Sequence, residues 1–301
     1  MNDFMTILAG TISAGTPIIY ALCGDLTGQR AGITSLSVEG SMLCGACLGF
    51  GALISTGSLV AAVIAAALAG MFIGLIQAFL VIDRKTNMMA SGFVLIFLAK
   101  GITAFYGRDI LGQSVKHYEP IILPLLSKIP VLGPTFFSQD ILTYISYLLP
   151  IALYFVLFKT RLGLAVRSVG ERPEVTIAYG YNPRRIQYGA TLFAGMMAGI
   201  GGAQMSIFYT MNWSNDMIKG RGIIASSLVI LCGWKPQWAY MAAYLFGLAQ
   251  ALQVYLQINQ VPISMYVTLA LPYLFTMVAL AIVSTGKRPS MPEKLKIITD
   301  N

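Results

Sequence analysis

Charge is what this chain has least of. Of its 301 residues only 11% are charged, twelve are acidic and a single one is histidine. A soluble domain carries about a quarter charged residues. The deficit excludes an ordinary water-facing surface and points to an all-α polytopic membrane protein, because charge is costly in hydrocarbon. With His117 alone, no histidine pair can hold a metal. No Gly-x-x-x-x-Gly-Lys-Ser/Thr phosphate loop occurs, and Ser37-Val-Glu39-Gly-Ser41 has no nearby base to activate a serine. Catalysis is therefore not expected in this chain. Cysteine is scarce too: Cys23, Cys44, Cys47 and Cys232 all lie in or beside apolar segments. Cys44-Gly-Ala-Cys47 has redox-motif spacing, but no βαβ pattern surrounds it. It reads as small residues at a helix–helix contact.

Long apolar runs are what the chain has in abundance. A spanning helix needs about 20 mainly apolar residues, and nine segments qualify as crossing or re-entrant: 4–22, 33–54, 59–82, 89–106, 141–158, 188–209, 222–232, 238–256 and 263–283. The seventh is short for a full crossing; it reads as a broken or re-entrant helix, or one that begins near Asn215. The first lacks a basic flank before it, so it reads as a spanning helix rather than a cleavable signal.

The net charge of +8 does not imply nucleic acid, since the basic residues sit in short loops between apolar runs. One set of loops holds Arg30, Arg84, Lys85, six residues of the 159–187 segment, Lys235, Lys287, Arg288, Lys294 and Lys296. The opposite set holds only Arg108, Lys116, Lys128, Lys219 and Arg221. Fourteen against five places the N-terminus outside and the C-terminus inside. Residues 1–284 form the membrane domain and 285–301 a polar cytoplasmic tail. The outer segment 107–140, with Pro120, Pro124, Pro130 and Pro134, reads as an irregular, partly buried cap.

Gly74-Leu-Ile-Gln-Ala-Phe-Leu80 resembles Gly247-Leu-Ala-Gln-Ala-Leu-Gln253, and the two run in opposite directions on this topology. That suits an inverted repeat; a chance match of two Leu/Ala-rich helices explains the echo equally well. Small residues crowd 194–203, with Gly195, Gly199 and Gly202 among alanines, and also 65–70, which allows close helix approach.

Polar residues inside the apolar runs are the candidates for chemistry. Glu39 either contacts a solute or is structural, solvated near the inner interface or paired with a basic side chain. Lys100 either snorkels or lines a pore. Gln77, Gln204, Gln250 and Gln253 are able to bind a neutral polar solute or to hydrogen-bond between helices. Phe208, Tyr209, Asn212 and Trp213 suit stacking on a base or sugar ring, or an interfacial belt.

The polar segment 159–187 has helix signals of its own. Residues 159–167 are expected to continue the fifth helix, with a break at Gly170-Glu171-Arg172-Pro173. Pro173 near a helix start, followed by Glu174, then begins a short helix over 173–179. Ala178 lies in its last turn, Gly180 ends it as a left-handed cap and Asn182-Pro183 turns the chain back.

These residues carry a family resemblance. Gly32-Ile-Thr-Ser-Leu-Ser-Val-Glu-Gly40, Thr160-Arg-Leu-Gly-Leu-Ala-Val-Arg-Ser-Val-Gly-Glu171 running on to Ala178-Tyr-Gly180, Gly220-Arg-Gly-Ile-Ile-Ala-Ser226 and Gly233-Trp-Lys-Pro236 resemble the permease subunit of bacterial ABC importers of the simple-sugar and nucleoside type. Val-Glu-Gly looks like the branch working with basic-membrane-protein-type lipoprotein receptors, which mostly carries nucleosides. Ile33-Thr-Ser-Leu and Ala225-Ser-Ser227 depart from the family's usual runs.

The resemblance implies a multi-pass protein of the bacterial plasma (inner) membrane, without a cofactor in this chain. It implies partners: an ATPase that binds ATP and magnesium, a second permease in a homo- or heterodimer, an extracellular or periplasmic substrate-binding lipoprotein, and the lipid bilayer. It implies that 173–179 is the coupling helix seated on the ATPase, with Glu171, Arg172, Pro173, Glu174, Ala178 and Gly180 as its residues. The expected solute is a nucleoside moved by alternating access. A simple sugar is the alternative within this architecture; an ion-coupled carrier using Glu39 is one outside it.

Overall fold

The computed structural model describes residues 3–115, 121–122, 132–260, 264–284, 292–293 and 295. His117, Pro120, Pro124, Pro130, Lys116 and Lys128, and most of the tail, lie outside them. The elements are α1 (Asp3–Arg30), α2 (Val38–Thr56), α3 (Leu59–Ala78), α4 (Met88–Tyr106), α5 (Leu132–Phe136), α6 (Ile141–Lys159), α7 (Arg161–Glu171), α8 (Pro173–Ala178), α9 (Pro183–Gln204), α10 (Arg221–Leu231), α11 (Ala239–Ile258) and α12 (Met265–Ser284). Two-residue strands β1 (Ile121–Ile122) and β2 (Ser138–Gln139) pair antiparallel in the 107–140 segment. Among the described residues, eight helices are long and apolar enough to cross a membrane, and α10 is a shorter apolar helix.

The helices α1, α2, α3, α9 and α11 form the inner bundle, and glycine sets how closely they meet. A Cβ at Gly70 of α3 would meet Gly195 O and lie 2.8 Å from Gly199 Cα of α9. Backbones this close bury small residues against one another, the arrangement that drives helix association where no hydrophobic effect separates helix from lipid. The opposite face of α3 carries exposed Val60, Ile64, Leu68, Phe72 and Leu75, at a spacing near four residues. That spacing makes one stripe for the lipid. Gly74 and Gly247, the two echoing segments' first residues, are both close-contact points, against Thr191 of α9 and Gly15 of α1 respectively.

Three boundaries differ from expectation. The first helix runs on to Arg30, through Pro17, Gly24 and Gly28, and ends before Gly32, whose φ is +79°. The second begins at Val38, not 33, so residues 31–37 are non-helical. The fifth helix does not continue past the membrane. It stops at Lys159, Thr160 is extended, and the Thr160 hydroxyl accepts from the Gly163 N–H to start α7 afresh (3.1 Å).

The ends of the helices sort into two layers. Arg30, the ends of α3 and α6, the start of α9 and the residues after α10 lie at one end, tied by Arg184–Asp83 (2.7 Å) and by Arg30 Nε donating to Trp234 O (2.9 Å). The α1 start and the α11 end lie at the other, where Tyr255 OH donates to Asp3 (2.9 Å).

Candidate functional site

Glu39 lies one residue into α2, deep in the bundle. A Cβ on its neighbour Gly40 would contact Leu95 O at 3.0 Å and Ala99 Cβ at 3.1 Å, about halfway along α4. Its partners come from far along the chain. Gly220 N–H donates to Oε1 (2.7 Å) and Gly222 N–H to Oε2 (2.6 Å). These are the first amides of α10, which have no carbonyl to pair with inside the helix. The carboxylate therefore caps a helix whose positive end lies at mid-depth, a favourable place for an anion. Glycine at 222 is required by contact: a Cβ there would lie 2.5 Å from Glu39 Cα. Glycine at 220 is required by conformation, with φ at +82°.

The chain reaches this cap without regular structure. The sixth crossing ends in a π-helical turn, Met205–Tyr209, where the hydrogen bonds skip one residue further than in an α-helix. Residues 210–220 then descend irregularly into the bundle. Asp216 pairs there with Lys100 (3.0 Å), so Lys100 is ion-paired rather than free. Trp213 is buried against Gly107 rather than lying in an interfacial belt. Irregular backbone at membrane depth is tolerated where it is buried in protein or lines a water-filled cavity, and Asn212, Ser214, Asn215, Asp216 and Lys219 of this stretch are exposed. The seventh segment is thus a half helix entered from one side. Arg221 at its start stands 5.6 Å from the Tyr209 ring centroid, with Nη1 3.0 Å from Met205 Sδ.

Next to α10, α1 carries a fully buried polar network that sequence reasoning missed. Gln29 donates to Asp25 Oδ2 (2.7 Å) and accepts from Trp234 Nε1 (2.8 Å). Asp25 Oδ1 has no hydrogen-bond partner. The available signal was the i, i+4 spacing of Asp25 and Gln29 in a helix with no stop before Arg30.

At the other end of α10 lies the polar segment. Pro173 occupies the first turn of α8, Gly180 is left-handed with φ at +79°, and Tyr181 N–H returns to Thr176 O (3.1 Å). Asn182 does not simply make a turn; its side chain accepts from the Arg184 N–H (3.0 Å) and caps α9. The Ser168 and Thr176 hydroxyls, 2.8 Å apart, tie α7 to α8. The pair exposes Leu162, Leu164, Val175, Ile177 and Tyr179, the last at 77%. Arg172 pairs with Glu293 of the tail (3.4 Å), and Glu171 accepts from the Glu293 N–H (3.2 Å).

Comparison with known proteins decides the family. Residues 6–284 match the branched-chain amino acid transport system / permease component family. The chain belongs to that permease family. TsgC13 of Haloferax volcanii, a proposed glucose ABC transporter permease, is 34% identical over 82% of this chain and 77% of its own length. The guanosine ABC transporter permease NupQ of Bacillus subtilis is 32% identical, covering 91% of this chain and 90% of its own. The nucleoside ABC transporter permease NupC of Lactococcus lactis is 29% identical, covering 94% and 93%. No solved structure matches the chain significantly. The permease is thus a multi-pass plasma-membrane subunit of an ABC importer, a transport component rather than an enzyme, and it works with an ATPase and a substrate-binding protein.

In this permease the residues singled out for a solute path do not form one cluster. Gln77 is fully buried at the α8 end of the bundle and donates to Met88 O (3.2 Å). Gln204 is fully buried with both amide atoms unpaired, one residue before the π-helical turn. Gln250 donates to Gln253 on the same helix (3.0 Å). Phe208 is half-buried, while Asn212 is exposed near the far end, bridged to Ser114 through the backbone. Glu39, which the sequence offered as a solute contact or as a structural carboxylate, is buried and takes two backbone N–H groups as partners.

Proposed function

We propose that this permease imports a nucleoside, with its N-terminus outside, its C-terminus inside, and the α7–α8 corner seated on the ATPase in the cytoplasm. The observation that carries the solute is the near end-to-end similarity to the guanosine and nucleoside permeases. The buried amides agree with it, since Gln77, Gln204 and Gln250 bind neutral polar groups without demanding a countercharge. The exposed apolar side chains of α8, beside Glu171, Arg172 and Glu174, offer the ATPase a hydrophobic knob with a charged rim. ATP and magnesium are held by that subunit, whose closure pushes α8 and tips the bundle between inward- and outward-facing states. A second permease completes the pore, and residues 285–301 form the cytoplasmic tail.

A simple-sugar importer is the second reading, favoured by the identity to TsgC13. Vesicles holding this permease with its ATPase, partner permease and binding protein discriminate the two. ATP-dependent uptake of labelled guanosine, unaffected by excess glucose or ribose, is expected. Uptake blocked by a sugar but not by nucleosides transfers the assignment to sugars, and uptake without ATP ends the importer reading.

A further inference from the structure

A cavity of about 340 Å³ opens between the start of α1 and the end of α11, roofed by the π-helical turn that ends the sixth crossing. Its polar lining comes from Asp3, Thr6, Tyr209, Tyr255 and Asn259. The size is within the range of small-molecule sites. Its chemistry differs by a carboxylate and an amide from the exposed apolar surface, which is aliphatic and aromatic, tyrosine included. It combines a carboxylate, a hydroxyl, an amide and two phenol rings.

Four of these groups, Asp3, Tyr209, Tyr255 and Asn259, have partners that hold them in place. Tyr255 OH donates to Asp3 Oδ2 at 2.9 Å, so the carboxylate is oriented, and Asp3 has no ion-pair partner among the described residues. Asn259 Nδ2 donates to Tyr255 O (3.0 Å), which leaves its amide oxygen as an acceptor. Tyr209 has the Arg221 guanidinium over its ring and thereby links the cavity to the capped end of α10. Val254 and Ile258 of α11 also line the cavity, and Gln250 continues their stripe one turn deeper by its i, i+4, i+8 spacing.

We propose that this cavity is a permease-borne recognition site for a ribonucleoside on its way from the binding protein. The Asp3 carboxylate accepts hydrogen bonds from the vicinal 2′- and 3′-hydroxyls, and the rings of Tyr209 and Tyr255 pack on the base. A carboxylate facing two adjacent hydroxyls makes charge-assisted bonds, and a phenol ring offers a flat apolar face with a polar tip. The proposal rests on the nucleoside reading and deepens it: the sugar hydroxyls, and not only the base, are read by this chain.

The test compares guanosine with 2′,3′-dideoxyguanosine in the same reconstituted importer. The binding protein is constant, so a change in the ratio of the two half-saturating concentrations belongs to the permease. Asp3→Asn is expected to raise the guanosine value about tenfold, as loss of a hydrogen bond to a charged group does, and to leave the dideoxy value within about twofold. Tyr209→Ala is expected to raise both. Tyr255→Phe, which keeps the ring and removes the hydroxyl that orients Asp3, is expected to follow Asp3→Asn at smaller size. Equal effects of Asp3→Asn on both solutes, or no effect on either, overturn the proposal. Absence of guanosine uptake by the wild type sinks the nucleoside reading itself; intact wild-type uptake with indifferent variants sinks only the cavity.

Discussion

Glu39 is held by two peptide N–H groups, at 2.7 and 2.6 Å, and this decides what its removal does. Glu39→Ala leaves the buried Gly222 N–H and the part-buried Gly220 N–H without a partner, at a cost of roughly 1–3 kcal/mol for the buried donor and less for the other. Glu39→Gln retains one acceptor and restores part of that. The expected order of melting temperature in detergent is wild type, then Gln, then Ala, read by thermal unfolding of the purified subunit. A Glu39→Ala protein that melts with the wild type yet fails to transport would make the carboxylate a solute or ion ligand instead of a cap. The carboxylate was legible in the sequence because it stands among apolar residues. Its partner was not, because the contact joins positions 181 residues apart and is made by backbone, which no side-chain pattern records. Asp25 was hidden for the opposite reason. It follows an apolar run closely enough to look like the end of a helix, and only the unbroken course to Arg30 carries it into the interior.

Among the elements, the α7–α8 corner shows how local signals succeed where they are strong. Pro173 and Gly180 bracket α8 as their conformational preferences demand, whereas the break before α7 rests on one threonine capping hydroxyl and a close contact of Gly163 with Leu157. A single Thr-x-x-Gly is too common to announce a corner. Gly180 has open space around it, so its replacement acts through backbone strain alone: φ at +79° costs a β-branched side chain about 1–2 kcal/mol. Gly180→Val is expected to shift α8 against α9 and to cut ATP-driven uptake at least about fivefold by that amount of strain. Ile177→Glu, placing a charge on the exposed knob, is expected to reduce co-purification of the ATPase. Binding-protein docking should survive both. Equal loss of docking and uptake would mean general misfolding, and an ATPase that still co-purifies fully with Ile177→Glu would move the coupling surface elsewhere.

For the whole molecule, the number of crossings was legible from apolar length, and the half helix α10 showed itself as a run too short to span. What composition does not encode is depth, since 210–220 reads as a surface loop while its far end lies beside the middle of the bundle. Sidedness rests on charge. Arg30, Arg84, Lys85, Lys159, Arg161, Arg167, Arg172, Arg184, Arg185 and Lys235 share the end that carries α8, and an excess of basic residues marks the cytoplasmic side. Single cysteines give the check, because the four native ones are all buried and offer little background to a bulky reagent. Ser114→Cys, exposed at the α1-start end, is expected to react with a membrane-impermeant maleimide on intact cells. Tyr179→Cys, at an exposed position of the opposite end, is expected to react only after the membrane is opened. The reverse pattern would turn the permease over. It would place α8 out of an ATPase's reach and the Asp3 cavity on the cytoplasmic side, so the coupling corner and the recognition site would fall together.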